Sequence, residues 1–222
     1  MASLNESDVK NFELIPIYND NNKYSAAEAL NIGISKAKAN IVVTCHQDVI
    51  FFKDFTLKLV EKAIKYPEFG TFGIAGITFD DRTAGGVKFR GGYTFATYPE
   101  AEVKINDELC IALRKDSGLI FDEKTFDGFH FYGADLCLQA IDKGLKNYAV
   151  DCHAVHLSVD GAGDMDELRK NYFPNLTKLR DKWVKKISRV WLTSGIYDGD
   201  KVHTWIPELQ DEESKWNKEP WS

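Results

Sequence analysis

Apolar and polar positions fall into blocks whose period changes along the chain. Phe12 to Tyr18 is a short apolar run followed by the turn-prone Asn19-Asp20-Asn21-Asn22, so it reads as a strand closed by a turn. From Ser25 the period lengthens to that of a helix. Ala26, Ala29, Leu30 and Ile34 recur on one stripe up to about Ala39, and Ser25 with Glu28 makes an S-x-x-E capping box. Ile41-Val42-Val43-Thr44 is a β-branched run too short for a helix, which predicts a strand buried on both faces. It delivers the polar triplet His46-Gln47-Asp48 at its carboxyl end. A second amphipathic helix starts at Asp54, with Phe55, Leu59, Val60, Ala63 and Ile64 on one stripe, and stops before Pro67. Thr71 to Phe79, interrupted by Gly73 and Gly76, reads as a buried strand approached closely by another backbone.

Strand, helix, strand, helix, strand with short connections predicts an α/β fold. Its sheet is expected to be mostly parallel and flanked by helices, with ligands beyond the carboxyl ends of the strands. Asp80 to Tyr98 carries Gly85-Gly86 and Gly91-Gly92-Tyr93 and suits a loop or small hairpin over a site, a candidate lid. Leu109 to Arg114 and Asn147 to Val150 are further strands, and Ala134 to Lys143 is a helix closed by Gly144. After Gly161-Ala162-Gly163 a long helix is predicted from about Asp166 to Ile187, then a tail with Trp191, Trp205, Trp216 and Trp221. The organisation expected is one domain over residues 1–190, with a Trp-rich extension over 191–222 packed on the domain or on another subunit.

Composition narrows the function more than the fold. At 222 residues, 44% hydrophobic and 28% charged, the chain is ordinary for a globular domain, which excludes disorder and coiled coil. A formal charge of −6 argues against a sequence-wide grip on nucleic acid or anionic lipid, so an anionic ligand must be held locally. No apolar stretch approaches the roughly 20 residues of a membrane span. Met1 to Lys10 is polar, and a cytoplasmic location is expected. Cys45, Cys110, Cys137 and Cys152 lie far apart with no C-x-x-C pair, which fits reduced, mostly buried thiols. Cys152 and His153 near His156 lack further ligands for a zinc site.

Asp48, at a strand end beside His46, is placed to hold a hard divalent cation against a ligand's phosphates, although aspartate is also common in turns. His156 follows a predicted strand and by itself reads as an interior histidine. Asp135 opens a helix after Phe129-His130-Phe131-Tyr132-Gly133; it is either a helix-start acid or a general base on a strand-to-helix loop, with His130 and Tyr132 touching an acceptor. There is no G-x-G-x-x-G, no P-loop and no G-x-S-x-G elbow.

Taken in order, the strand Phe12 to Tyr18, the helix Ser25 to Gly33, His46-Gln47-Asp48-Val49, Phe131-Tyr132-Gly133-Ala134-Asp135-Leu136 and Val155-His156 resemble the family 2 inverting glycosyltransferases of the GT-A fold. The similarity covers roughly Phe12 to Trp183, and H-Q-D stands where the family usually has D-x-D. The resemblance implies a GT-A-like nucleotide-diphospho-sugar transferase, N-terminally shortened by one strand-helix unit. Asp48 would bind Mn²⁺ or Mg²⁺ bridging the donor's diphosphate, with His156 a second ligand and His46 in the place of the first acid. Asp20 and Asn31 would lie near the donor nucleoside. Asp135 would be the general base; Ala134 replaces the first acid of the family's E-D pair, and His130, Tyr132 and Gly133 would contact the acceptor.

The function so implied is metal-dependent, inverting transfer of a sugar from a nucleotide-diphosphate donor to a saccharide or other hydroxyl acceptor in surface polysaccharide synthesis. No nucleic acid or membrane span takes part, and an uncovered sheet edge invites a homo-oligomer. The rival is a truncated or decayed GT-A-like domain serving as a non-catalytic binding or assembly module.

Overall fold

The computed structural model describes residues 3, 6–9, 11–89, 94–95, 97–157, 165–183, 185–186, 189–192, 195–198, 201–204 and 209–218. In chain order these give α1 (Ala26–Lys36), β1 (Ile41–Cys45), β2 (Val49–Phe51), α2 (Phe55–Lys65), β3 (Phe69–Gly73), β4 (Ala75–Thr78), β5 (Thr83–Gly85), β6 (Val87–Phe89), β7 (Thr94–Phe95), β8 (Glu100–Asn106) and β9 (Cys110–Arg114). Then follow α3 (Tyr132–Asp142), β10 (Lys146–Val150), β11 (Ala154–His156), α4 (Met165–Trp183), β12 (Arg189–Leu192), β13 (Gly195–Asp198), β14 (Lys201–Thr204) and α5 (Gln210–Trp216).

A seven-stranded sheet of order β1-β9-β3-β10-β8-β4-β5 forms the centre, and a four-stranded sheet β2-β11-β6-β7 stands beside it. Alternation along β9 shows why the large sheet is covered on both faces. Ile111 and Leu113 enter one core with α1, α3 and α4 residues such as Ala27, Leu136, Leu138 and Leu176, while Cys110 and Ala112 enter another with Phe55, Leu59, Phe69 and Phe72. The mixed α/β class and the flanking helices agree with the sequence reading. Strand direction does not: only β3 with β10 runs parallel in the large sheet, its other neighbours pairing antiparallel. Most of the antiparallel pairings come from β8 and β9, which follow one another in the chain but are not neighbours in the sheet: β8 lies antiparallel between β10 and β4, and β9 antiparallel between β1 and β3.

α1 starts as predicted, with the Ser25 hydroxyl accepting the Glu28 N–H at 3.2 Å, but ends at Lys36. Gly144, at φ +75°, follows α3 in the left-handed region that closes helices at low steric cost. Thr71 to Phe79 is two strands rather than one, and β8 was not foreseen. Phe12 to Tyr18 forms no strand; Leu14 and Tyr18 are exposed, Pro16 lacks a ladder donor, and side chains make the polar ties instead. The Asn19 carboxamide bonds both the N–H and the C=O of Tyr24, at 2.8 and 2.9 Å, and Glu13 Oε1 accepts the Lys38 N–H at 2.5 Å. Without a strand beside it, β1 is an edge whose only described neighbour is β9, so Ile41 and Cys45 are exposed rather than buried on both faces.

At the C-terminal end β12-β13-β14 form a small antiparallel sheet and α5 packs on α4. Trp216 is buried there, its Nε1–H donating to the Thr177 hydroxyl at 3.1 Å and its ring near Phe173. The side chain of Trp191, all of Trp205 and Trp221, and the Gly91-Gly92-Tyr93 part of the expected lid lie outside the described residues. All four cysteines are free thiols, three of them buried.

Candidate active site

The H-Q-D triplet is the hinge between the two sheets. β1 ends at Cys45, the His46 N–H continues its ladder to the Leu109 carbonyl at 3.0 Å, and after a turn β2 begins in the smaller sheet. There β11 lies antiparallel to β2 with His156 opposite Val49, and the Leu157 N–H donates to the Asp48 carbonyl at 2.9 Å. That register brings His156 Nε2 to 3.1 Å from Asp48 Oδ2. The His46 and His156 rings stand 6.1 Å apart, and one ligand atom each from His46, Asp48 and His156 falls within 4.8 Å of the other two. A cation roughly 2.0–2.3 Å from each donor spans gaps of this size, so the three residues fit a divalent metal.

Behind this cluster His46 Nε2 is 3.3 Å from the Tyr132 hydroxyl. Burial pushes the His46 imidazole below its ordinary value; Asp107 and Asp48 oppose that and His156 reinforces it. The neutral form is the one that ligates a metal. Tyr132 is itself buried, and burial together with the charges of Glu108 and Asp107 drives its phenol well above the ordinary range. It is therefore a neutral group steadying His46 rather than an exposed platform for an acceptor. His130 is half-buried, its ring 5.9 Å from that of Tyr172, and Gly133 is buried in the first turn of α3.

The remaining expected residues are not gathered here. Asp20 is exposed in a one-turn 3₁₀ segment, Asp20–Asn22. Asn31 is a structural latch: its Nδ2–H donates to the Phe121 carbonyl at 2.8 Å and to Glu123 Oε2 at 2.9 Å, and its Oδ1 accepts the Phe121 N–H at 3.2 Å. Asp135, the expected base, is wholly buried. Its Oδ1 accepts the indole N–H of Trp183 at 2.7 Å, its Oδ2 accepts Gln139 Nε2–H at 2.7 Å, and Lys182 Nζ reaches both oxygens at 2.8 and 2.9 Å. Lys182 also donates to Asp122 at 2.8 Å. Burial alone would lower the Lys182 pKa, but Asp122 and Asp135 outweigh it and keep the ammonium charged. A carboxylate so enclosed pins α4 to α3.

Glu108 is the residue the sequence reading missed. It lies in the β8–β9 turn, partly exposed, and its Oε1 accepts the Gly133 N–H at 2.9 Å. The close approach requires glycine: a Cβ at position 133 would lie 2.6 Å from Glu108 Cγ and 2.9 Å from Ile111 Cδ1. Burial pushes the Glu108 carboxyl up; the Gly133 N–H pulls the other way, Asp107 adds to the rise, and the Phe131 N–H opposes it, leaving the group at about 8. The only sequence signal was an acidic pair, Asp107-Glu108, immediately before a buried strand.

The family model for glycosyl transferase family 2 matches residues 4–110, just under half of the chain, and supports a glycosyltransferase. That stretch holds β1, the H-Q-D hinge and Glu108. The fold, a large central sheet flanked by helices, is GT-A-like. A protein of Fuscovulum blasticum called "ATP synthase subunits region ORF 6" is 26% identical over 179 residues, covering 70% of this chain and 63% of its own length. The chain thus spans under two thirds of that curated relative. Among the described residues no helix is long and apolar enough to cross a membrane.

Proposed function

We propose that the chain is a metal-dependent glycosyltransferase that moves a sugar, with inversion, from a nucleotide-diphosphate donor to a hydroxyl acceptor in polysaccharide synthesis. The observation that carries this reading is the His46–Asp48–His156 cluster, in which His46 and Asp48 follow β1 inside a stretch similar to family 2 glycosyltransferases and His156 joins them from β11. A cation held there would neutralise the diphosphate as it leaves. His46 is steadied from behind by Tyr132, and Asp48 by the β2–β11 pairing, so two of the three donors are preset by the fold. His130, near the start of α3, remains the candidate for contact with the acceptor, while the enclosed Asp135 is proposed to anchor rather than to accept a proton.

The test is isothermal titration with UDP, GDP and dTDP, each with and without Mn²⁺. Binding of one nucleotide that depends on Mn²⁺ supports the transferase. Absence of binding to all three favours a non-catalytic assembly module, for which the open β1 edge would supply the contact, through pairing with a second copy.

A further inference from the structure

We infer that Glu108 is the acid–base group of this site, accepting the proton of the attacking hydroxyl. The inference rests on the transferase reading and adds to it the residue that completes the chemistry. Backbone and side-chain contacts link the turn that carries Glu108 to His46. The carbonyl of the next residue, Leu109, is bonded to the His46 N–H, and Tyr132 Oη reaches His46 Nε2. Gly133, adjoining Tyr132, donates its N–H to Glu108 Oε1. Phe131, which precedes Tyr132, is held at φ +67°, a sterically costly conformation for a phenylalanine, with its ring 4.9 Å edge-on to Tyr172. The local backbone is thus built to turn the N–H groups of α3 toward the β8–β9 turn.

An inverting transfer needs one group to take a proton as the acceptor oxygen bonds to the anomeric carbon and that carbon's bond to the diphosphate breaks, the electron pair leaving with the diphosphate. Asp135 is sealed by three donors, whereas Glu108 is partly exposed. A carboxyl near 8 is also a stronger proton acceptor than an ordinary glutamate and is half ionised at about pH 8. The titratable groups around it are Asp107 in the same turn, Tyr132 and Cys137 on α3, and His46 beyond Tyr132. A purely structural role, capping α3, would need an oxygen acceptor at this position but no titrating proton.

The glutamine variant separates the two. In E108Q the carboxamide oxygen still accepts the Gly133 N–H, but the proton acceptor is gone. The full chain is assayed with Mn²⁺ and UDP-, GDP- and dTDP-sugars, with water as acceptor and release of nucleoside diphosphate as readout, alongside titration of the free diphosphates. Unchanged diphosphate affinity with hydrolysis lowered about 100-fold or more in E108Q is expected, the usual scale of acid–base catalysis. Wild-type hydrolysis should rise with pH and level off where a ¹³C-labelled glutamate side-chain carboxyl titrates in the same protein, a coincidence that needs no variant to fold. E108Q hydrolysing at the wild-type rate overturns the assignment alone. So does a rate limb displaced from the carboxyl's midpoint, or diphosphate binding without hydrolysis between about pH 6 and 9. A wild-type chain that binds none of the three diphosphates overturns the transferase reading and the assignment with it.

Discussion

Asp135 belongs to the first turn of α3 and Glu108 bonds to that turn from the β8–β9 turn, and the two are held in opposite ways. Asp135, within the helix, is walled in by Lys182, Trp183 and Gln139, so its charge is matched by an ammonium and two N–H donors. Glu108, in the β8–β9 turn, receives backbone N–H groups and, among the described residues, no cation, so burial and the neighbouring Asp107 dominate and its carboxyl rises to about 8. The first arrangement gives a carboxylate a cationic partner; the second leaves a carboxyl to be raised by burial. The difference lies in what surrounds each carboxyl, because a buried charge persists only when paired, and an unpaired one relaxes by protonation.

The sharpest way to break this contrast is to remove Asp135. D135A leaves the Lys182 ammonium with Asp122 alone and the Trp183 N–H without an acceptor, and should cost about 3–5 kcal/mol, read from the denaturant midpoint at unchanged slope. D135N keeps an acceptor for Trp183 and should cost less; a D135N protein of wild-type stability that has lost transfer would restore Asp135 as the base. At the mouth, D48A removes the only carboxylate among the three donors and should weaken Mn²⁺-dependent nucleotide binding by about 100-fold, or about 2.7 kcal/mol, with little change in stability.

A third measurement compares stability against pH in wild type and E108Q. A carboxyl raised in the folded state binds a proton that the unfolded chain has released, so stability falls as pH climbs from the ordinary 4.5 toward 8 and levels off above it. After discounting for partial exposure, wild type should lose about 1–2 kcal/mol more than E108Q across that window. Equal slopes would mean that Glu108 titrates like any exposed glutamate. The smallest effect is expected from Y132F, which deletes the hydroxyl 3.3 Å from His46 Nε2 and should weaken metal binding by about tenfold.

Much of the local structure was legible in the chain. The capping box at Ser25, the helix from Phe55 and the closure at Gly144 depend on contacts within a few residues and appear where the pattern puts them, but of the expected stripe Phe55 and Leu59 are buried while Val60 and Ile64 are exposed. Pairing was not legible in the same way. The apolar run Phe12 to Tyr18 reads as a strand by composition, yet strand formation requires a partner in register and a full set of donors, and Pro16 lacks one. The mostly parallel sheet failed for a related reason: strand direction depends on which distant strands pair, and β8 settles antiparallel between β10 and β4, β9 antiparallel between β1 and β3.

Within the site, the sequence by itself determined the chemistry on offer. His46-Gln47-Asp48 at a strand end and His156 after another strand were visible as residue types, because polar groups at the carboxyl edge of a sheet follow from the hydrophobic runs before them. Only the tertiary structure decided which groups act together. The β2–β11 register joined His156 to Asp48, the fold of α4 against α3 enclosed Asp135 with Lys182 and Trp183, and the β8–β9 turn raised Glu108 into the first turn of α3. Desolvation and charge pairing are set by neighbours distant in the chain, and they separate a carboxylate that holds the fold together from one able to exchange a proton.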